Sequence, residues 1–153
     1  MAYRYDPDYE AAAMAKTHKE PLLKTNRSAL KFYILTILTL GIYTIFYFIP
    51  FSFDLDKVVP KRHGGKTFNY LFAFILALFT GNIVMYIWFY HITQRVEEGL
   101  AQREIDYSFQ TSDFWLWYVL GSFIVVGPFV YHYKLCKAMN LLCEDYNREH
   151  QKA

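Results

Sequence analysis

Residues 32–53 read FYILTILTLGIYTIFYFIPFSF and contain no Asp, Glu, Lys or Arg. A helix crosses the hydrocarbon core of a bilayer with about 20 predominantly apolar residues, each rising about 1.5 Å. The 22 residues of this stretch are therefore enough for one membrane-spanning helix. The alternative is a buried helix of a soluble bundle, but such a helix usually carries a polar stripe, and this stretch has none.

Two further charge-free runs follow, residues 67–94 and residues 114–133. Each is long enough to cross a bilayer, and Tyr and Trp residues lie near the ends of the runs, where rings with a polar edge prefer the headgroup level. The sequence therefore predicts an all-α integral membrane protein with three transmembrane helices. The spans that it predicts are about 32–53, 68–92 and 114–133.

Composition agrees with this class and excludes others. The chain is 54% hydrophobic and 20% aromatic, and its formal net charge is only +2. So weak a net charge gives no indication of a nucleic-acid partner, and two cysteines are too few for a disulfide scaffold. We predict the lipid bilayer as the main partner and no cofactor.

The domain organisation follows from the polar segments. Residues 1–27 are predicted to form a polar, flexible tail, residues 28–149 a membrane domain, and residues 134–149 an amphipathic C-terminal helix within it. A rival architecture has re-entrant hairpins that break near Gly41 and at the matching points of the other two runs, so that every polar segment lies on one side. Half-runs of about ten residues are too short to cross, and this rival would be monotopic.

The second run carries a set of small residues, Ala73, Ala77 and Gly81, at four-residue spacing. This spacing places them on one helix face, where they allow another helix to approach closely, either within the chain or in a homo-oligomer. Asn82 lies near the middle of the same run and is predicted to be a mid-membrane polar residue that needs a partner. Helix breaks are predicted at Gly41, Gly127 and Pro128.

The three runs also resemble one another. Gly41, Asn82 and Gly127 each precede an aromatic residue by six positions, and these starting points are 41 and 45 residues apart. Three copies of one unit would produce this pattern, and so would the shared composition of apolar, aromatic helices.

The motif Thr39-Leu-Gly-Ile-Tyr43, followed by aromatic residues and Asp54, resembles a bacterial family of small membrane proteins classed as a domain of unknown function. The similarity extends over roughly residues 26–148, but the second and third copies depart from it at residues 81–83 and 127–129. The resemblance implies a bacterial multi-span protein of the plasma membrane and supplies neither an activity nor catalytic residues.

No catalytic constellation stands out. His132 and Cys136 are four residues apart on one helix face, which suits a soft metal, but cysteines among apolar residues more often serve packing, and no metal site is predicted. No acid lies inside the three runs, and Ser122 has no base nearby to activate it. We therefore predict that the protein is not an enzyme.

Two functions remain. The first is a non-enzymatic membrane component, such as a scaffold, a regulator or a subunit with a membrane-protein partner. The alternative is a small oligomeric channel or transporter-like pathway, in which Asn82 and the helix breaks line a cavity. Lysines and arginines are nearly equal on the two sides, so charge does not set the orientation, and only the resemblance favours a cytoplasmic N-terminus.

Overall fold

The computed structural model of the protein describes residues 22–59 and 69–152, and every regular element among them is helical. The elements are α1 (Ala29–Leu38), α2 (Tyr43–Val58), α3 (Tyr70–Phe79), α4 (Ile83–Gln102), α5 (Thr111–Asp113), a π-helical segment (Phe114–Val119), a 3-10 segment (Leu120–Ile124) and α6 (Gly127–Lys152). They pack as three helical hairpins: α1 with α2, α3 with α4, and the stretch from α5 to the 3-10 segment with α6.

The first hairpin turns at two consecutive residues with positive φ, Leu40 at 51° and Gly41 at 94°. The left-handed conformation costs an ordinary L-residue energy, whereas glycine adopts it freely. The Gly41 N–H donates to the Thr36 carbonyl at 2.8 Å and closes the end of α1. The chain therefore reverses within a few residues, and α2 begins at Tyr43.

The second hairpin repeats this construction 41 residues later. Gly81 and Asn82 have φ values of 60° and 73°, and the Asn82 N–H donates to the Ala77 carbonyl at 2.9 Å. Asparagine tolerates the left-handed region better than most residues, so it takes the place that glycine holds in the first turn.

The third hairpin turns at Val125, whose φ is 64°. Gly127 and Pro128 begin α6 rather than interrupting it, and proline is favoured in the first turn of a helix because its missing N–H has no partner there. At Gly127 a Cβ atom would lie 2.3 Å from the Trp117 carbonyl oxygen, so glycine allows the two arms of this hairpin to touch.

The three turns lie at the same height. Phe48, Phe89 and His132 are each the seventh residue after the last left-handed residue of their hairpin, and their rings meet in the core. The ring centroids of Phe48 and Phe89 are 5.2 Å apart, those of Phe89 and His132 are 5.5 Å apart, and those of Phe48 and His132 are 6.1 Å apart. This ring cluster, which we call the hub, holds the hairpins in register.

Charged groups join the hairpins at the opposite end. Arg95 of α4 pairs with Asp56 of α2. Arg103 donates to the Val58 carbonyl at 3.1 Å and pairs with Asp145 of α6 at 2.7 Å. Since α2, α4 and α6 all run from a turn towards these contacts, the molecule has a turn end and a charged end.

The prediction of three membrane-spanning helices, and with it the integral-membrane fold class, is wrong. No helix in the described part of the chain combines the length and the apolar character needed to cross a bilayer. The physical reason is that each charge-free run is folded in two at its turn. The run of residues 32–53, for example, is divided between α1, which has only 10 residues, and the start of α2. The length of an apolar run does not show whether its helix is continuous.

The predicted N-terminal tail lies outside the described residues up to position 21, and residues 22–28 are extended along α6. Asn147 holds Leu23 by two hydrogen bonds of 2.8 Å, one to its N–H and one to its carbonyl. Asn140 holds Arg27 in the same way at 2.9 Å. These two pairs of hydrogen bonds fix the segment that leads into α1 against α6.

Candidate functional site

Large apolar side chains are exposed at the turn end of the molecule. Leu40 is 94% exposed, Phe79 84% and Phe123 87%, although each belongs to a type that usually lies inside a protein. We call this surface the tip face, and it consists of Leu38, Leu40, Ile42, Leu78, Phe79, Ile83, Phe123, Ile124, Val125 and Val126. An exposed apolar surface contributed by three separate turns marks an interaction site.

The apolar surface continues from the tip face up the outer side of every hairpin. Its members there include Leu30, Ile34, Ile37, Phe46, Leu71, Phe72, Ile75, Ile87, Leu116, Leu120 and Phe129. The last large exposed hydrophobic residue is Ile87 in α4 and Tyr133 in α6. Beyond these levels the same helices bury their apolar side chains and expose polar ones. The surface is therefore divided into an apolar half and a polar half.

Threonine hydroxyls satisfy backbone groups at the first two turns. Thr39 Oγ1 donates to the Leu35 carbonyl at 2.7 Å and accepts from the Tyr43 N–H at 2.9 Å. Thr80 makes the equivalent pair of bonds, to the Leu76 carbonyl at 3.0 Å and from the Val84 N–H at 3.5 Å. Each hydroxyl thus bridges the two helices of its hairpin. Unpaired backbone groups are costly wherever water is excluded, so such bridging suits a turn that enters an apolar medium.

The boundary of the polar half is lined by ion pairs. Arg27, whose side chain is only 4% exposed, pairs with Asp54, and Arg95 pairs with Asp56. Lys134 pairs with Asp113, which also accepts a hydrogen bond from the Gln110 N–H at the start of α5. Asp54 and Lys134 directly follow the exposed Phe53 and Tyr133, so these pairs mark where the apolar half ends.

His132 of the hub is a buried titratable group. Its Nδ1 lies 2.8 Å from both the Pro128 carbonyl oxygen and the Tyr33 hydroxyl oxygen. A carbonyl can only accept, so Nδ1 carries the proton and donates. Burial among the surrounding rings lowers the pKa of His132 to about 4, so the imidazole is neutral near pH 7.

Two further pairs of buried polar groups lie near the hub. The Tyr131 hydroxyl lies 2.7 Å from Thr93 Oγ1, and the Tyr47 hydroxyl lies 3.0 Å from Cys136 Sγ. Burial raises the pKa of Tyr131 and of Cys136 above their ordinary values, which keeps both groups protonated. Within residues 22–59 and 69–152 there is no group of three His, Cys, Asp or Glu side chains that could hold a metal ion. The hydrogen bonds of Tyr131 and Tyr47 therefore contribute to the packing around the hub.

The small residues singled out from the sequence lie in two environments. Ala73 and Ala77 are buried in α3, where they face the core of the chain, while Gly81 lies in the exposed second turn. Asn82 also lies in that turn and is exposed, so it stands at the apex of a hairpin and not midway along a span. The permeation hypothesis, in which Asn82 and the helix breaks line a cavity, stays a prediction.

Sequence reasoning did not identify the tip face or the bridging threonines. A signal was present, because Thr39-Leu-Gly-Ile42 and Thr80-Gly-Asn-Ile83 have threonine and isoleucine at matching places 41 residues apart. The pairing of Arg27 with Asp54 had a weaker signal, since the two residues only flank the first apolar run. Which cation meets which carboxylate depends on how the run folds back.

Comparison with known protein families gives a match to part of the chain. A family model described as a domain of unknown function (DUF4234) matches residues 27–98, from Arg27 of the first ion pair to the last turns of α4. The match thus covers the first hairpin and most of the second and stops short of the third. No curated protein and no solved structure matches the chain.

Proposed function

We propose that this protein is a non-enzymatic membrane component that docks on one face of a bilayer and inserts its three hairpin turns into a single leaflet. The tip face carries this proposal, because it exposes large apolar side chains from three turns held at one height by the hub. In keeping with the family resemblance, we place this docking at a bacterial plasma membrane. The charged end would stay in water and offer a platform to other proteins.

The depth of the apolar half suits one leaflet. From Tyr43, the first residue of α2, to Phe53, which is 57% exposed and directly precedes Asp54, is ten residues, or about 15 Å of helix. A bilayer core is about 30 Å thick, so one leaflet provides about 15 Å. The apolar half therefore reaches roughly to the bilayer midplane, with the ion pairs at the headgroup level.

The distribution of apolar side chains favours lipid over a protein partner. Exposed residues such as Ile34 of α1, Phe72 of α3 and Leu116 of the π-helical segment lie on the outer sides of all three hairpins. A second protein would cover one side of this surface, whereas a fluid leaflet surrounds it on every side. The bridging hydroxyls of Thr39 and Thr80 support the same environment, since they leave fewer backbone groups unpaired at the turns.

Flotation with neutral phosphatidylcholine vesicles tests the proposal. The wild-type chain should float with the vesicles, and Phe79→Ser and Phe123→Ser should each weaken binding roughly tenfold or more, because each removes a large apolar group from the inserted surface. Leu22→Ser is the matched control, since Leu22 is 59% exposed but belongs to the segment clamped along α6 near the charged end. Tip variants that bind as well as wild type, or a control that is weakened equally, would reject the proposal.

A further inference from the structure

We infer that the tip face favours a convex, loosely packed lipid surface, so that the protein distinguishes strongly curved membranes from flat ones. This inference rests on the proposed function and names the kind of lipid surface that the same site would select. Three features carry it: the one-sided insertion, the shape of the tip residues and the pairing of the boundary charges.

Insertion would occupy one leaflet only. The apolar half contains six chain segments, namely two arms from each of three hairpins. With helices about 10 Å across, these segments take up roughly 500 Å² of the leaflet that they enter. All three hairpins reverse at the same height, so they add nothing to the opposite leaflet. Extra area on one side is accommodated most easily where that side is convex.

The residues that enter first are bulky and uncharged. Leu40, Phe79 and Phe123 are the most exposed members of their turns, at 94%, 84% and 87%. A large apolar side chain enters a leaflet through gaps between headgroups, and a convex leaflet exposes more such gaps. Binding through apolar surface is accordingly sensitive to curvature and lipid packing.

Charge contributes less than the apolar tip face to the preference for curved membranes. Three cations at the boundary in the described part of the chain, Arg27, Arg95 and Lys134, are each paired with an aspartate. Lys31 and Lys137 are exposed near the same level and would attract anionic lipid of any curvature. A test in neutral lipid therefore isolates the apolar contribution.

The experiment compares wild-type binding to neutral phosphatidylcholine vesicles of about 30 nm and about 400 nm diameter at equal outer-leaflet area. We expect at least roughly fivefold more bound protein on the small vesicles, and Leu22→Ser should keep that ratio. Equal binding to both sizes would overturn this inference and leave the proposed function intact. Failure to bind either size would overturn both.

Discussion

The rings of Phe48 and Phe89 meet edge to face at 5.2 Å, and each residue lies seven positions beyond the last left-handed residue of its own hairpin. The contact therefore aligns the first turn with the second. His132 occupies the matching position in the third hairpin and completes the alignment. The height of the tip face is thus set by core packing and not by the turns alone.

Loss of a hub ring should destabilise the fold. Phe48→Ala removes a side chain that is 1% exposed, and we expect it to lower the free energy of unfolding by about 3–5 kcal/mol. Phe46→Ala is the control, because Phe46 lies in the same helix but is 69% exposed, and it should cost less than about 0.5 kcal/mol. Denaturant unfolding in detergent micelles measures the stability of both variants. Equal losses of stability would contradict the structural role of the hub.

The stability of the first turn should depend on its backbone conformation and not on the space available for a side chain. Nothing lies within 4 Å of a Cβ atom placed on Gly41, yet its φ is 94°. Gly41→Ala should therefore lower stability by about 1–2 kcal/mol through the left-handed backbone. Gly41→Asn should cost less, because Asn82 adopts a φ of 73° at the equivalent position. Thermal unfolding of the two variants compares them, and an Asn variant no more stable than the Ala variant would refute this explanation.

The ion pair between Arg27 and Asp54 should stabilise the fold more than an exposed ion pair does. Arg27→Met leaves the Asp54 carboxylate without its main partner in a largely buried place, at a cost of about 3–5 kcal/mol. The control is Arg148→Met, which breaks the pair with Glu144, whose side chains are 71% and 43% exposed, and should change stability by less than about 0.5 kcal/mol. Chemical unfolding at neutral pH measures the free energy of unfolding of both variants. Comparable losses of stability in the two variants would contradict this prediction.

The buried imidazole should make the fold sensitive to acid. His132 has a folded-state pKa of about 4 and an unfolded-state pKa near 6.5, so the unfolded chain binds the proton first as the pH falls. Stability is therefore expected to decline between about pH 6.5 and pH 4, by up to about 3 kcal/mol from this group. His132→Phe, which matches the ring of the other two hairpins, should flatten that decline.

The control for the acid experiment is His91→Phe, because His91 is exposed on α4. Unfolding curves at pH 7 and pH 4.5 give the difference for each chain. An acid-induced loss that is unchanged in the His132 variant would show that other groups cause it.

Part of this structure could be predicted from the sequence. The helical segments are predictable because long apolar runs without charge form helices, and Gly41 indicates a break in the first run. Whether such a break bends a helix slightly or reverses the chain depends on two adjacent left-handed residues, and Leu40 gives no local sign of that conformation.

The third turn shows a different limit. The glycine and proline at 127–128 indicated a break there, but the chain reverses at Val125, a β-branched residue that rarely takes a positive φ. Close contact between Gly121 and Gly127, where an added Cβ would lie 2.6 Å or less from the opposite backbone, determines the path of this hairpin. Contacts of this kind are tertiary and leave no periodic signal.

The depth of nitroxide labels tests most directly whether the turns lie in lipid while the charged end stays in water. Single cysteines replace Leu40, Phe79 and Phe123 at the tips and Lys57 and Asp106 near the charged end, all exposed positions. The native Cys136 and Cys143 are buried, and the unsubstituted chain gives the background of labelling.

Collisions with oxygen, which concentrates in lipid, are compared with collisions with a water-soluble nickel complex in vesicle-bound protein. We predict that the three tip labels collide with oxygen and that the labels at 57 and 106 both collide with the nickel complex from the side on which protein was added. Tip labels that remain open to nickel, or a charged-end label reached only from inside the vesicle, would contradict it.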